Sequence, residues 1–115
     1  MMKNGVIFIA EEAKSPYHAT MRKKLLNYAN QYDIDILKTY TVPITNDGEF
    51  EYDFLEKTMN NIAYYNEKVR TEDRIFYFIT NRLDDLEEFR NIDYILDYFE
   101  DIGVITKTLG GQLHE

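Results

Sequence analysis

The run Ile75-Phe76-Tyr77-Phe78-Ile79 limits this chain more than any other stretch. It is uncharged, rich in large and β-branched side chains, and bounded by Asp73-Arg74 before and Thr80-Asn81-Arg82 after. A strand apolar on both sides must be covered on both sides, which describes a central strand of a parallel sheet. In open α/β sheets, ligands collect just beyond the carboxyl ends of such strands. Thr80, Asn81 and Arg82 are therefore the first place to look for a site.

A second apolar run, Gly5 to Ala10 (GVIFIA), predicts another central strand, followed by a charged loop from Glu11 to Lys14. Ser15-Pro16 predicts a helix start, with Ser15 as the cap and Pro16 in the first helical position. Met21, Leu25, Tyr28, Ala29 and Tyr32 then share one face, and Arg22, Lys23 and Lys24 the other. Asp33 to Tyr40 reads as a strand and Thr41 to Gly48 as a loop, with Asn46-Asp47-Gly48 as turn chemistry. Tyr52 to Lys68 reads as a helix with Phe54 or Leu55, Met59, Ile62, Ala63 and Tyr64 or Tyr65 inward. Asp84 to Asp101 reads as a helix with Leu86, Phe89, Ile92, Ile95, Leu96 and Phe99 buried and a break marked at Asn91. Gly103 caps it in the left-handed position, and Val104 to Leu109 is a last strand.

Strands alternating with helices imply βαβ crossovers. The expected fold is α/β in three layers, a mostly parallel four-stranded sheet with helices on both faces. At 115 residues there is room for one domain, expected over 1–109, with 110–115 as a loose tail.

Charge and composition narrow the function classes. There is no cysteine, which excludes disulfides, thiol nucleophiles and thiolate metal sites. No Gly-x-Gly-x-x-Gly or phosphate-loop pattern is present. No stretch has the length of a membrane span, and a cytoplasmic protein is expected. Net charge is −8, and the excess is local. From Asn81 to Asp101, eight acids (Asp84, Asp85, Glu87, Glu88, Asp93, Asp97, Glu100, Asp101) face two bases (Arg82, Arg90). Such a surface repels nucleic acid. It is either a solvated face that aids solubility or a surface for a basic partner.

The pattern of the whole chain resembles the N-terminal catalytic domain of the serine recombinases, the resolvases and invertases. Phe8-Ile9-Ala10-Glu11-Glu12 occupies the place of the family's Tyr-x-Arg-x-Ser segment. Leu25, Tyr28 and Ala29 match its first helix, Ile34 to Tyr40 its second strand, and Phe54-Leu55 the start of its next helix. Asn81-Arg82-Leu83-Asp84-Asp85 stands where the family has Asp-Arg-Leu-x-Arg, and Gly103-Val104 closes the pattern. The resemblance implies a resolvase-like fold.

The family's chemistry does not transfer with it. Recombinases attack a phosphodiester with a serine hydroxyl, while arginines neutralise the developing charge. By position, Glu12 replaces that serine and Ala10 its neighbouring arginine. Glu49, Phe50 and Glu51 cover the position of a further arginine, Asp85 replaces the last, and Arg82 alone is retained. Ser15 lies near the nucleophile's place, but its sequence context fits a helix start better. Family members continue into a long dimerising helix and a DNA-binding module, parts this reading does not expect here.

The remnant site is therefore expected at Glu12, Ser15, Asn81, Arg82 and Asp85, with Arg82 pairing to Glu12. No catalytic residue is assigned. Glu11, Glu12, Asp84 and Asp85 follow parallel strands at one sheet edge and would suit Mg²⁺ or Ca²⁺, but solvated acids at a helix start explain them more simply. His18 and His114 are unsuited to a shared metal site. No metal and no cofactor are expected. The expected function is that of an inactive resolvase-like module of phage or mobile-element type. It would act through a protein partner or as a homodimer, using Asp84, Asp85, Glu87, Glu88 and Asp97. The alternatives are a phosphoester or nucleotide enzyme built on Glu12, Ser15 and Arg82, and an acidic mimic of nucleic acid.

Overall fold

The computed structural model describes residues 2–43 and 50–109. The two apolar runs become the central strands. β1 (Lys3–Glu12) and β3 (Ile75–Thr80) pair in parallel, with β2 (Ile34–Val42) outside β1 and β4 (Ile105–Thr108) outside β3. The order β2-β1-β3-β4 is all parallel. Between the strands run the helices α1 (His18–Gln31), α2 (Phe54–Lys68) and α3 (Ile92–Asp101), with short 3₁₀ turns at Thr71–Asp73 and Leu83–Leu86.

Strand order decides where the helices go. The chain steps from β1 outward to β2, then crosses back over β1 to β3 and continues to β4. Right-handed crossovers put α1 on one face and α2 and α3 on the other. The two cores agree with that placement. Leu25, Tyr28 and Ala29 of α1 pack with Ile7, Ile9, Ile34 and Ile79. Leu55, Met59 and Ile62 of α2 and Ile95 and Phe99 of α3 pack with Val6, Phe8 and Phe78. Alternate residues of β1 thus feed opposite cores, which is why its run carries no polar position.

Several boundaries shift. β1 continues through Glu12, so Glu11 and Glu12 are strand rather than loop. α1 begins at His18, not at Ser15-Pro16. The Ser15 hydroxyl instead accepts the Tyr17 N–H at 3.2 Å, and Pro16 sits in the turn that follows β1. The expected helix from Asp84 to Asp101 divides. Leu83–Leu86 is a 3₁₀ turn, Asn91 adopts the left-handed conformation (φ 61°), and α3 proper begins at Ile92. Asn tolerates that conformation better than most residues. Gly103 takes φ 81° at the α3 terminus, as expected for a left-handed cap. The predicted turn at Asn46-Asp47-Gly48 and the tail 110–115, including His114, lie outside the described residues.

Buried polar groups hold the strands in place. The Thr80 hydroxyl donates to the Phe8 carbonyl at 2.9 Å, tying β3 to β1 at their carboxyl ends. The Tyr40 hydroxyl donates to Asn61 Oδ1 at 2.8 Å, and burial raises its phenol above the ordinary 10.0. Gly5 lies where β1 passes closest to its neighbours. A Cβ there would sit 2.7 Å from Ile34 Cγ2, 3.2 Å from Tyr77 Cβ and 3.3 Å from the Tyr77 carbonyl oxygen. Gly5→Ala is expected to destabilise by about 1–3 kcal/mol through overpacking. The midpoint of chemical denaturation reads this out, and an unchanged midpoint would mean that the β1–β2 spacing relaxes freely.

Candidate functional site

Neighbouring strands whose connections leave for opposite faces create a crevice outside their carboxyl ends. Here those strands are β1, which leads into α1, and β3, which leads toward α3. A cleft of about 430 Å³ lies at this point. It is lined by Ala10, Glu11, Glu12 and Ser15 after β1, by Val42 and Phe50, and by Asp84, Asp85 and Glu88 after β3.

Local backbone geometry builds this rim. In the β1–β2 ladder, Ile9 pairs with Thr41 but Glu12 pairs with Val42, so Ala10 and Glu11 form an irregularity in β1. Bulges of this kind bend a strand and redirect its side chains. The 3₁₀ turn at Leu83–Leu86 returns the chain over the strand end, with buried Leu86 as its anchor. That anchor leaves Asp84 and Asp85 at the rim. Phe50 closes one wall against Phe89 at a ring separation of 4.9 Å.

The cleft is anionic. Five of its lining side chains are carboxylates, and none is Lys or Arg. Among the described residues, Glu11, Glu12, Asp85 and Glu88 have no ion-pair partner. Also among the described residues, no three acidic or histidine side chains gather closely enough to hold a metal ion.

Of the expected remnant site, Glu12, Ser15 and Asp85 meet in this cleft. Asn81 joins indirectly, through a long 3.4 Å contact from its Nδ2 to Asp85 Oδ2. Arg82 does not pair with Glu12. Its backbone is extended (φ −148°, ψ 147°), and its side chain, 58% exposed, meets Asp84 Oδ2 at 3.3 Å. The neighbour two residues on outcompetes a carboxylate across the cleft, and so exposed a pair contributes at most about 1 kcal/mol. The expected interaction acids also divide. Asp84, Asp85 and Glu88 belong to the cleft, Glu87 is exposed, and Asp97 lies on a separate groove beside β4. The two groups line different depressions. Val42 in the cleft wall was missed, because the sequence does not tell which strands lie on either side of β1.

No protein-family model matches the chain, and no curated protein matches it. Among solved structures, the chain is similar to the C-terminal catalytic domain of ISC1926 TnpA, an IS607-like serine recombinase. The TM-score is 0.62 at 14% identity, over 92% of this chain and 70% of that one. Likeness at this identity speaks for the fold: a four-stranded parallel sheet with helices on both faces, of resolvase type.

Proposed function

We propose that this resolvase-like domain does not recombine DNA and serves as a cytoplasmic protein-interaction or regulatory module derived from a mobile element or phage. The observation that carries this reading is the cleft at the switch point of the sheet. Phosphoryl transfer requires cations around the phosphate. This cleft offers Glu11, Glu12, Asp84, Asp85 and Glu88 instead. Ala10 and Glu12 stand where the recombinase pattern has an arginine and the serine, and Phe50 fills a stretch where it has another arginine. Arg82, the one retained cation, does not line the cleft and pairs with Asp84 at its rim. Ser15 is present, but among the described residues no side chain hydrogen-bonds its hydroxyl, whose oxygen already accepts a backbone N–H. An enzyme built on Glu12, Ser15 and Arg82 therefore has less support. Mimicry of nucleic acid also has less, because the acids line two depressions rather than one.

Capture from host extract tests this reading. The wild-type domain should retain a specific basic protein at low salt and release it at high salt. A variant with Asp84→Asn, Asp85→Asn, Glu87→Gln and Glu88→Gln should lose it. Equal retention by both proteins, or none by wild type, would reduce the acidic rim to a solvated surface.

A further inference from the structure

We propose that the depression between strand β2 and helix α2 binds a carboxylate carried by an acidic segment of a protein partner. This surface shares no lining residue with the acidic cleft and takes a group of the opposite charge, so it stands whether or not the acidic rim holds a basic protein. Phe54, Lys57, Thr58 and Asn61 recur at i, i+3, i+4 and i+7 and therefore share one side of α2. The hydrogen bond between Tyr40 and Asn61 turns that side toward β2. A depression of about 430 Å³ lies between the two elements.

Its lining is cationic. Lys38 and Lys57 border it, and no carboxylate does, the reverse of the balance in a chain of net charge −8. Among the described residues Lys38 has no ion-pair partner, and its Nζ lies 4.6 Å from the centroid of the Tyr40 ring. Tyr40 is only 7% exposed, and its hydroxyl donates to Asn61 Oδ1 at 2.8 Å. That bond engages the amide oxygen and leaves Asn61 Nδ2 as a donor to the depression. Two ammonium groups and an amide N–H beside a buried phenol select a negatively charged acceptor. The chain already seats one such group, because Glu51 Oε1 lies 3.3 Å from Lys57 Nζ. An incoming carboxylate meets Lys38 and Asn61 and competes with Glu51 for Lys57. A nucleic-acid backbone fits less well, since its binding rests on many cations around many phosphates.

The test titrates an acetylated, amidated tetraglutamate peptide into the isotope-labelled domain at low salt and follows backbone and side-chain amide signals. Saturable shifts are expected at Lys38, Tyr40 and Lys57 and at the Asn61 side-chain amide. Lys38→Gln should weaken binding about fivefold, the upper end for one exposed ion pair. Glu51→Gln frees Lys57 and should tighten binding about twofold to threefold. Glu100→Gln makes the same charge change away from the depression and should leave the affinity as it is. A tetralysine peptide should not shift these signals. No saturable shift at these residues, an unchanged affinity of Lys38→Gln, or equal effects of Glu51→Gln and Glu100→Gln would overturn the proposal, the last by reducing binding to net charge. Inorganic phosphate that shifts the same signals at lower concentration than the peptide would overturn the carboxylate assignment. Shifts that grow with protein concentration without peptide would make a second copy the occupant and overturn it too. Capture of a basic host protein by the acidic rim is a separate result, and its failure would leave this titration unaffected.

Discussion

Replacing Phe8 with alanine is expected to destabilise the domain by about 3–5 kcal/mol. Phe8 is fully buried at the centre of the larger core. Its ring lies 5.6 Å from Phe54 of α2, 5.6 Å from Phe78 of β3 and 5.4 Å, edge-on, from Phe89 before α3. One side chain thus joins three segments, and none of them can collapse into the space without leaving another. A loss of this size is a large fraction of the roughly 5–15 kcal/mol that holds a domain folded. Phe89 also braces Phe50 in the cleft wall, so the damage should reach the candidate site. Phe8→Leu, closer in volume, should cost much less. Thermal and denaturant unfolding of both variants decides the matter; similar midpoints for alanine and wild type would mean that this aromatic junction is not central.

Asn66→Ala is expected to cost about 2–4 kcal/mol, because it strands two backbone groups at the start of a central strand. Asn66 is buried in α2, where its Nδ2 donates to the Ile75 carbonyl at 3.1 Å. Its Oδ1 accepts the Ile75 N–H at 2.8 Å. Its own carbonyl accepts Arg74 Nε at 3.1 Å. The amide side chain thereby replaces a neighbouring strand and fixes where β3 begins. Without it, amide hydrogen exchange should accelerate first at Ile75 and Phe76. A cost of only a few tenths of a kcal/mol would mean that water takes over both bonds.

Asn66 also marks a limit of reading structure from sequence. A polar residue late in a helix reads as solvent-facing, and only the path of β3 reveals that it is buried. Thr58 is similar: its hydroxyl donates back to the Phe54 carbonyl at 2.9 Å, which lets it lie in the core. The central strands were legible because burial on both faces leaves no room for polar residues, and their spacing around the helices carried the parallel topology. The cleft was half legible. That Glu11, Glu12, Asp84 and Asp85 share one sheet edge follows from parallel strands. The irregularity at Ala10–Glu11 and the outward path of Arg82 do not, because both depend on register and backbone angles set by tertiary packing. The break at Asn91 was marked by residue type, but the placing of the acids in two depressions was not.

The most direct measurement of the central claim is a fluorescence anisotropy titration of labelled duplex DNA with the domain at low salt, about 50 mM, where phosphate contacts are strongest. A strand-end cleft lined by carboxylates, with Arg82 paired to Asp84 at its rim, predicts no saturable binding at any protein concentration reached. Saturable binding that weakens steeply as salt rises would show that cations gather around phosphate after all. It would contradict the account of a recombinase-like fold that has given up its DNA chemistry.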